Sequence, residues 1–102
     1  MSVLNKTSVL AALRAHEAEL RSAGIVRLAL FGSVARGEAN AQSDVDLLGD
    51  FDLTRRMTLF DKAGLEVRLA EILDARVELS ERRLLKEAVR ASAEREAVLA
   101  FL

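Results

Sequence analysis

The chain is 102 residues long with 15 basic and 16 acidic side chains, a net charge of −1. The length suits one domain, and the balance argues against a face built to track nucleic-acid backbone, so direct nucleic-acid binding is not expected. The absence of cysteine excludes a disulfide framework and a thiolate metal site.

Aromatic residues are scarce, so the core is expected to be Leu, Val, Ala and Ile. No apolar run approaches the roughly 18 residues of a spanning helix. The N-terminal stretch lacks the basic-then-apolar layout of a secretory signal. A cytoplasmic protein with no membrane partner is expected, as a single domain over 1–102.

Thr7-Ser8 precede "VLAALRAHEAELRSAG", where Val9, Leu10, Leu13 and Leu20 lie near one helical stripe and Gly24 is a natural C-terminal cap. "IVRLALF", Ile25 to Phe31, is short, apolar and β-branched, and predicts a strand. Gly32-Ser33 ends it, "SVARGE" reads as a short helix closed at Gly37, and "EANAQS" is a polar loop. "DVDLLGDF" predicts a second strand, with Val45 and Leu47 on one face and Asp44, Asp46 and Leu48 on the other.

From about Thr54 to Leu73 the spacing predicts a helix whose stripe is Leu59, Ala63, Val67, Ala70 and Leu73, broadened by Leu65, Leu69 and Ile72. "RVELS" is a third short strand. Ser80 then opens a last helix running to the C-terminus, with Arg83 where a capping box would place Glu. The expected fold is α+β: a small mixed three-stranded sheet with helices packed mainly on one face and the other face partly open.

Two features carry chemistry. Asp44 and Asp46 sit two apart on a strand, so both carboxylates leave one face with Cα atoms roughly 6.5 Å apart. Such a pair can converge on one divalent cation, and oxygen ligands suit Mg²⁺ or Mn²⁺. The plain alternative is an edge strand with acids turned to solvent. Gly32-Ser33 falls between a strand and a short helix, where a backbone without Cβ and free amides can receive a phosphate. Its plain alternative is a common turn. Ser43 can fix the loop or the Asp44 carboxylate.

Together these residues resemble the signature of the DNA polymerase β-like nucleotidyltransferase superfamily: Gly-Ser, a short helix, then Asp-x-Asp on the next strand. The finer form "GSVARGEANAQSDVDLL" is similar to the minimal nucleotidyltransferases, the single-domain antitoxins of the MNT–HEPN toxin–antitoxin type. The resemblance implies a nucleotidyltransferase-like fold in which Gly32 and Ser33 hold the triphosphate of ATP; Arg36, in the short helix after Ser33, can face the same phosphates, its plain alternative being a surface arginine. It implies that Asp44 and Asp46 bind Mg²⁺ or Mn²⁺, and that Glu78 in "RVELS" supplies a third catalytic carboxylate and metal ligand. Glu78 stands where minimal members commonly carry Asp, which shifts its carboxylate by one methylene. The implied reaction moves AMP from ATP to a tyrosine hydroxyl of a partner HEPN toxin.

A second reading keeps the fold and the partner but inhibits by occlusion, with weak catalysis. A third keeps the transfer and changes the acceptor to RNA or a small molecule. A homo- or hetero-oligomer fits the apolar C-terminal end. Asp50 is a rival third acid on the Asp46 face, and Asp52 reads as an N-terminal acid of the helix beginning near Thr54. His16 reads as a surface or interface residue. Arg82, Arg83 and Lys86 are weak candidates for a phosphate.

Overall fold

The computed structural model describes residues 4–40 and 42–102; Ala41, inside the expected polar loop, lies outside the described residues. Asn5 starts the first helix, its side chain accepting the Ser8 amide at 2.8 Å, and α1 runs Lys6–Ala15. An N-cap of this kind satisfies an amide that a helix start leaves without a partner. The start therefore precedes the one read from Thr7-Ser8. The expected continuous helix breaks at His16, and a short α2, Glu17–Ser22, follows. Gly24 has φ +111°, which lets the chain turn directly into the sheet.

β1 spans Ile25–Phe31 and α3 spans Gly32–Arg36, closed by Gly37 in the left-handed conformation. β2, Val45–Phe51, pairs antiparallel with β1, placing Phe31 opposite Asp46. α4 covers Leu59–Leu73 and begins with a reciprocal capping box between Thr58 and Asp61. It starts later than the sequence pattern suggests, and Leu65, Leu69 and Leu73 form its buried stripe, whereas Leu59 and Val67 face solvent. β3, Val77–Glu81, runs parallel to β2 with Glu78 opposite Asp46.

The C-terminal region departs from the single helix expected from Ser80. β3 continues through Glu81, a 3-10 turn occupies Arg82–Leu84, and α5 forms only over Glu87–Glu96. Val98–Phe101 is a further strand, β4, antiparallel to β1. Among the described residues the sheet has four strands, in the order β3-β2-β1-β4, not three. The physical reason is the open edge of β1: its buried amides and carbonyls need partners. "VLAF" supplies them and buries Ala100 and Phe101 in the same step.

One face of the sheet holds the main core, where Leu13, Leu20, Leu28, Leu30, Leu47, Leu69 and Leu79 interlock beneath α1, α2 and α4. The opposite face is narrower. There Ala93 of α5 packs on Ala29 and Leu48, flanked by Phe31, Leu85 and Ala97. Helices thus lie mainly, but not solely, on one face. α5 covers the middle of the second face and leaves Asp44 and Glu78 exposed.

Candidate active site

Asp46 belongs to the face of β2 that carries Leu48, and the strand period sends Asp44 and Asp50 to that side too. Asp44 precedes the first residue of β2. In-register pairing sets Glu78 beside Asp46. Three sequence-predicted acids therefore share the rim of the sheet where β1 passes into α3.

Gly32 is buried at that passage with φ +79°. An ideal Cβ there would stand 3.0 Å from Asp46 Cγ and closer still to Asp46 Oδ2. Glycine is required twice over: for the left-handed backbone and for the approach of the carboxylate. The Asp46 side chain is aimed at the Gly-Ser bend.

Electrostatics mark Asp46 further. Burial pushes its carboxyl above the ordinary range, and Glu78 and Asp44 push in the same direction. Arg36 opposes the shift, and Glu96 adds to it. A half-buried acid among acids is destabilised in its charged form. A cation is the natural remedy.

Asp44 has taken a local one: its Oδ1 lies 3.0 Å from Arg76 Nε, with both side chains substantially exposed. Among the described residues no group of three His, Cys, Asp or Glu is gathered tightly enough to hold a metal ion. The donor set nevertheless fits a hard divalent cation: oxygen only, on one face, with excess negative charge around Asp46. Asp46 and Glu78 would hold it, and Asp44 would join on leaving Arg76.

Arg36, on α3, reaches back over the bend. Its Nε donates to Glu38 at 3.0 Å and its Nη1 to both oxygens of Glu96, each at 3.0 Å. Glu96 Oε2 also accepts the Gly32 amide at 3.3 Å. Glu96 is absent from the sequence-derived site. Its signal was an acid in the last turn of a helix, where the backbone dipole disfavours negative charge and a cationic partner is needed.

Other candidates fall away from the site. Asp50 is bound by Arg82 at 2.8 Å and approached by Arg27 at 3.8 Å, and it lies roughly 13 Å along the strand from Asp46. Arg82 is further held by Glu94, and Arg83 by Glu81. Asp52 does not start α4; it closes a turn by accepting the Thr54 amide and hydroxyl. Ser43 accepts the Asn40 amide at 2.9 Å, which is a loop-fixing role. His16 sits at the α1–α2 break, its Nδ1 2.9 Å from the Ala12 carbonyl.

A family model described as nucleotidyltransferase domain matches residues 13–100, which include the bend, both aspartates and Glu78. The chain belongs to the nucleotidyltransferase domain family. This nucleotidyltransferase is 36% identical over 99 residues to a protein of Thermococcus cleftensis named protein adenylyltransferase MntA, covering 96% of this chain and 98% of the relative. It is 42% identical to a chain solved as a minimal nucleotidyltransferase, over 87% of this chain and 93% of that one, with a TM-score of 0.69. A toxin–antitoxin crystal structure with AMP-PNP shares the fold at a TM-score of 0.71 and 20% identity, over 86% of this chain and 72% of that one. The resemblance to minimal nucleotidyltransferases read from the Gly-Ser and Asp-x-Asp residues is therefore upheld. Among the described residues no helix is long and apolar enough to cross a membrane.

Proposed function

We propose that this nucleotidyltransferase transfers AMP from ATP to a tyrosine hydroxyl of a HEPN toxin and thereby acts as its antitoxin. The observation that carries the reading is the contact of Asp46 with Gly32, with Glu78 in register beside it. Acid cluster and phosphate-accepting bend form one place. The near full-length similarity to a relative named protein adenylyltransferase supports the acceptor class.

Gly32, Ser33 and Arg36 bind the triphosphate: the bend offers amides at close range and Arg36 offers a fork of N–H donors. Asp44, Asp46 and Glu78 would hold Mg²⁺ or Mn²⁺, which would neutralise charge on the phosphates and lower the acceptor's pKa. The acceptor oxygen forms a bond to the α-phosphorus. The bond from that phosphorus to the bridging oxygen breaks, and pyrophosphate leaves with the electron pair. Glu78, exposed at the rim, accepts the acceptor's proton.

The test is incubation with ATP labelled at the α-phosphate, Mg²⁺ and the partner toxin. Label on a toxin tyrosine, lost in the Asp44→Asn, Asp46→Asn variant, is the expected result. Label confined to RNA or to a small molecule contradicts the protein acceptor. Inhibition by occlusion is a second reading, favoured by the Arg76–Asp44 ion pair, which withdraws one acid from the cluster. Its signature is full inhibition of the toxin by the double variant without any label.

A further inference from the structure

Glu96 ends α5, and its carboxylate lies on the donors that the proposed function assigns to phosphate. Oε2 accepts the Gly32 amide at 3.3 Å, and both oxygens accept from Arg36 Nη1 at 3.0 Å. We infer that Glu96 is an internal anion seated at the phosphate position, so that a nucleotide binds by displacing it and the resident carboxylate lowers the affinity of the site. The inference rests on the reading of Gly32 and Arg36 as phosphate contacts.

Three features of the structure support displacement over permanent attachment. First, the guanidinium keeps a second anchor. Arg36 Nε is held by Glu38, so Nη1 can change partners while the side chain stays in place.

Second, the backbone of Glu96 is fixed while its side chain has somewhere to go. Ala93, one turn earlier, packs on Ala29 and Leu48. A shallow groove of about 340 Å³ lined by Phe31, Ala88, Val89, Ser92, Ala93 and Glu96 opens beside it. The Glu96 side chain is already 31% exposed.

Third, the two anions are unequal. A carboxylate carries one charge, whereas a triphosphate brings several charges and more acceptor oxygens to the same donors. Glu96 also adds its negative charge to that around Asp46. Any phosphate ligand that takes these donors first meets the cost of moving that carboxylate, whatever the length of its chain.

The experiment is calorimetric binding of AMP-PNP and of AMP, each with Mg²⁺, to the full chain. Glu96→Gln keeps the shape of the side chain and removes its charge. It is expected to tighten AMP-PNP by about 5–10-fold and AMP by no larger factor, because moving the carboxylate costs the same whichever phosphate replaces it. Adding Arg36→Ala is expected to abolish the gain. Weaker or unchanged binding by Glu96→Gln, while the parent binds AMP-PNP, overturns the displacement and leaves the phosphate contacts standing. Failure of parent and variant alike to bind AMP-PNP overturns both. A readout without substitution is the Glu96 carboxyl ¹³C resonance of the parent protein. It is expected to move when AMP-PNP and Mg²⁺ are added, and a resonance that stays fixed at saturation contradicts the inference.

Discussion

Asp46 and Asp50 leave the same face of β2, four residues apart, and meet opposite surroundings. Asp50 lies between Arg82 and Arg27, with Glu94 completing the array on Arg82. Asp46 lies against Gly32 among Glu78, Asp44 and Glu96, whose effect on its carboxyl Arg36 opposes only in part. The chain neutralises the first acid with its own residues and leaves the second in excess. An acid serving the fold is matched from within; an acid left unmatched at the Gly-Ser bend is, in the proposed function, matched by a cation from outside. The difference between the two ends of one strand face is the clearest sign of where the chemistry lies.

Four substitutions or conditions sharpen that contrast, beginning with the largest effect. Asp46→Asn is expected to lower kcat/KM for AMP transfer by roughly 10³-fold, on the scale of removing a central charged group from an active site. Its urea midpoint without divalent ions should be no lower than the parent's. A large loss of stability with activity retained would reverse the roles assigned to the two acids.

Gly32→Ala is next. A left-handed backbone costs a non-glycine residue about 1–2 kcal/mol, and the new Cβ meets Asp46. Chemical denaturation should show at least that loss, with AMP-PNP affinity falling as well. Asp50→Asn should show the complementary pattern. It strips Arg82 and Arg27 of a shared partner and is expected to cost about 1 kcal/mol of stability while kcat/KM stays within a few-fold.

The smallest effect is in pH. Folded Asp46 holds its proton to higher pH than unfolded Asp46, because burial and neighbouring acids raise its folded value. Through this group alone, stability is therefore lost as pH rises from the ordinary carboxylate range through the raised folded value. Comparing thermal melts of the parent and Asp46→Asn across that range isolates the effect, and it should shrink when Mg²⁺ is added.

Much of this was legible in the chain order. "IVRLALF" and "DVDLLGDF" are strands because apolar, β-branched runs are bounded by turn residues, and the period of two already set Asp44 and Asp46 on one face. Gly32 was legible as a special backbone position. What sequence could not reveal depends on pairing between distant segments. "VLAF" continues the helical spacing of Leu85, Ala88 and Ala91, and it becomes a strand only because β1 offers an edge. The arrays around Asp50 and Arg36 join residues separated by 32 and 60 positions, which no local pattern records. The start of α4 was locally written after all: Thr58 and Asp61 form a capping box, with Asp in the place usually sought for Glu or Gln.

In the proposed function the uncompensated end of the β2 face takes a divalent cation beside the Gly-Ser bend. Mn²⁺ titration followed by NMR addresses it directly, because a bound paramagnetic ion broadens nearby nuclei. Selective broadening is expected at Gly32, Asp44, Asp46 and Glu78 at low Mn²⁺, reversed by excess Mg²⁺, with Asp50 and Glu94 still sharp. Broadening centred on Asp50, or equal broadening of all exposed acids, would contradict it.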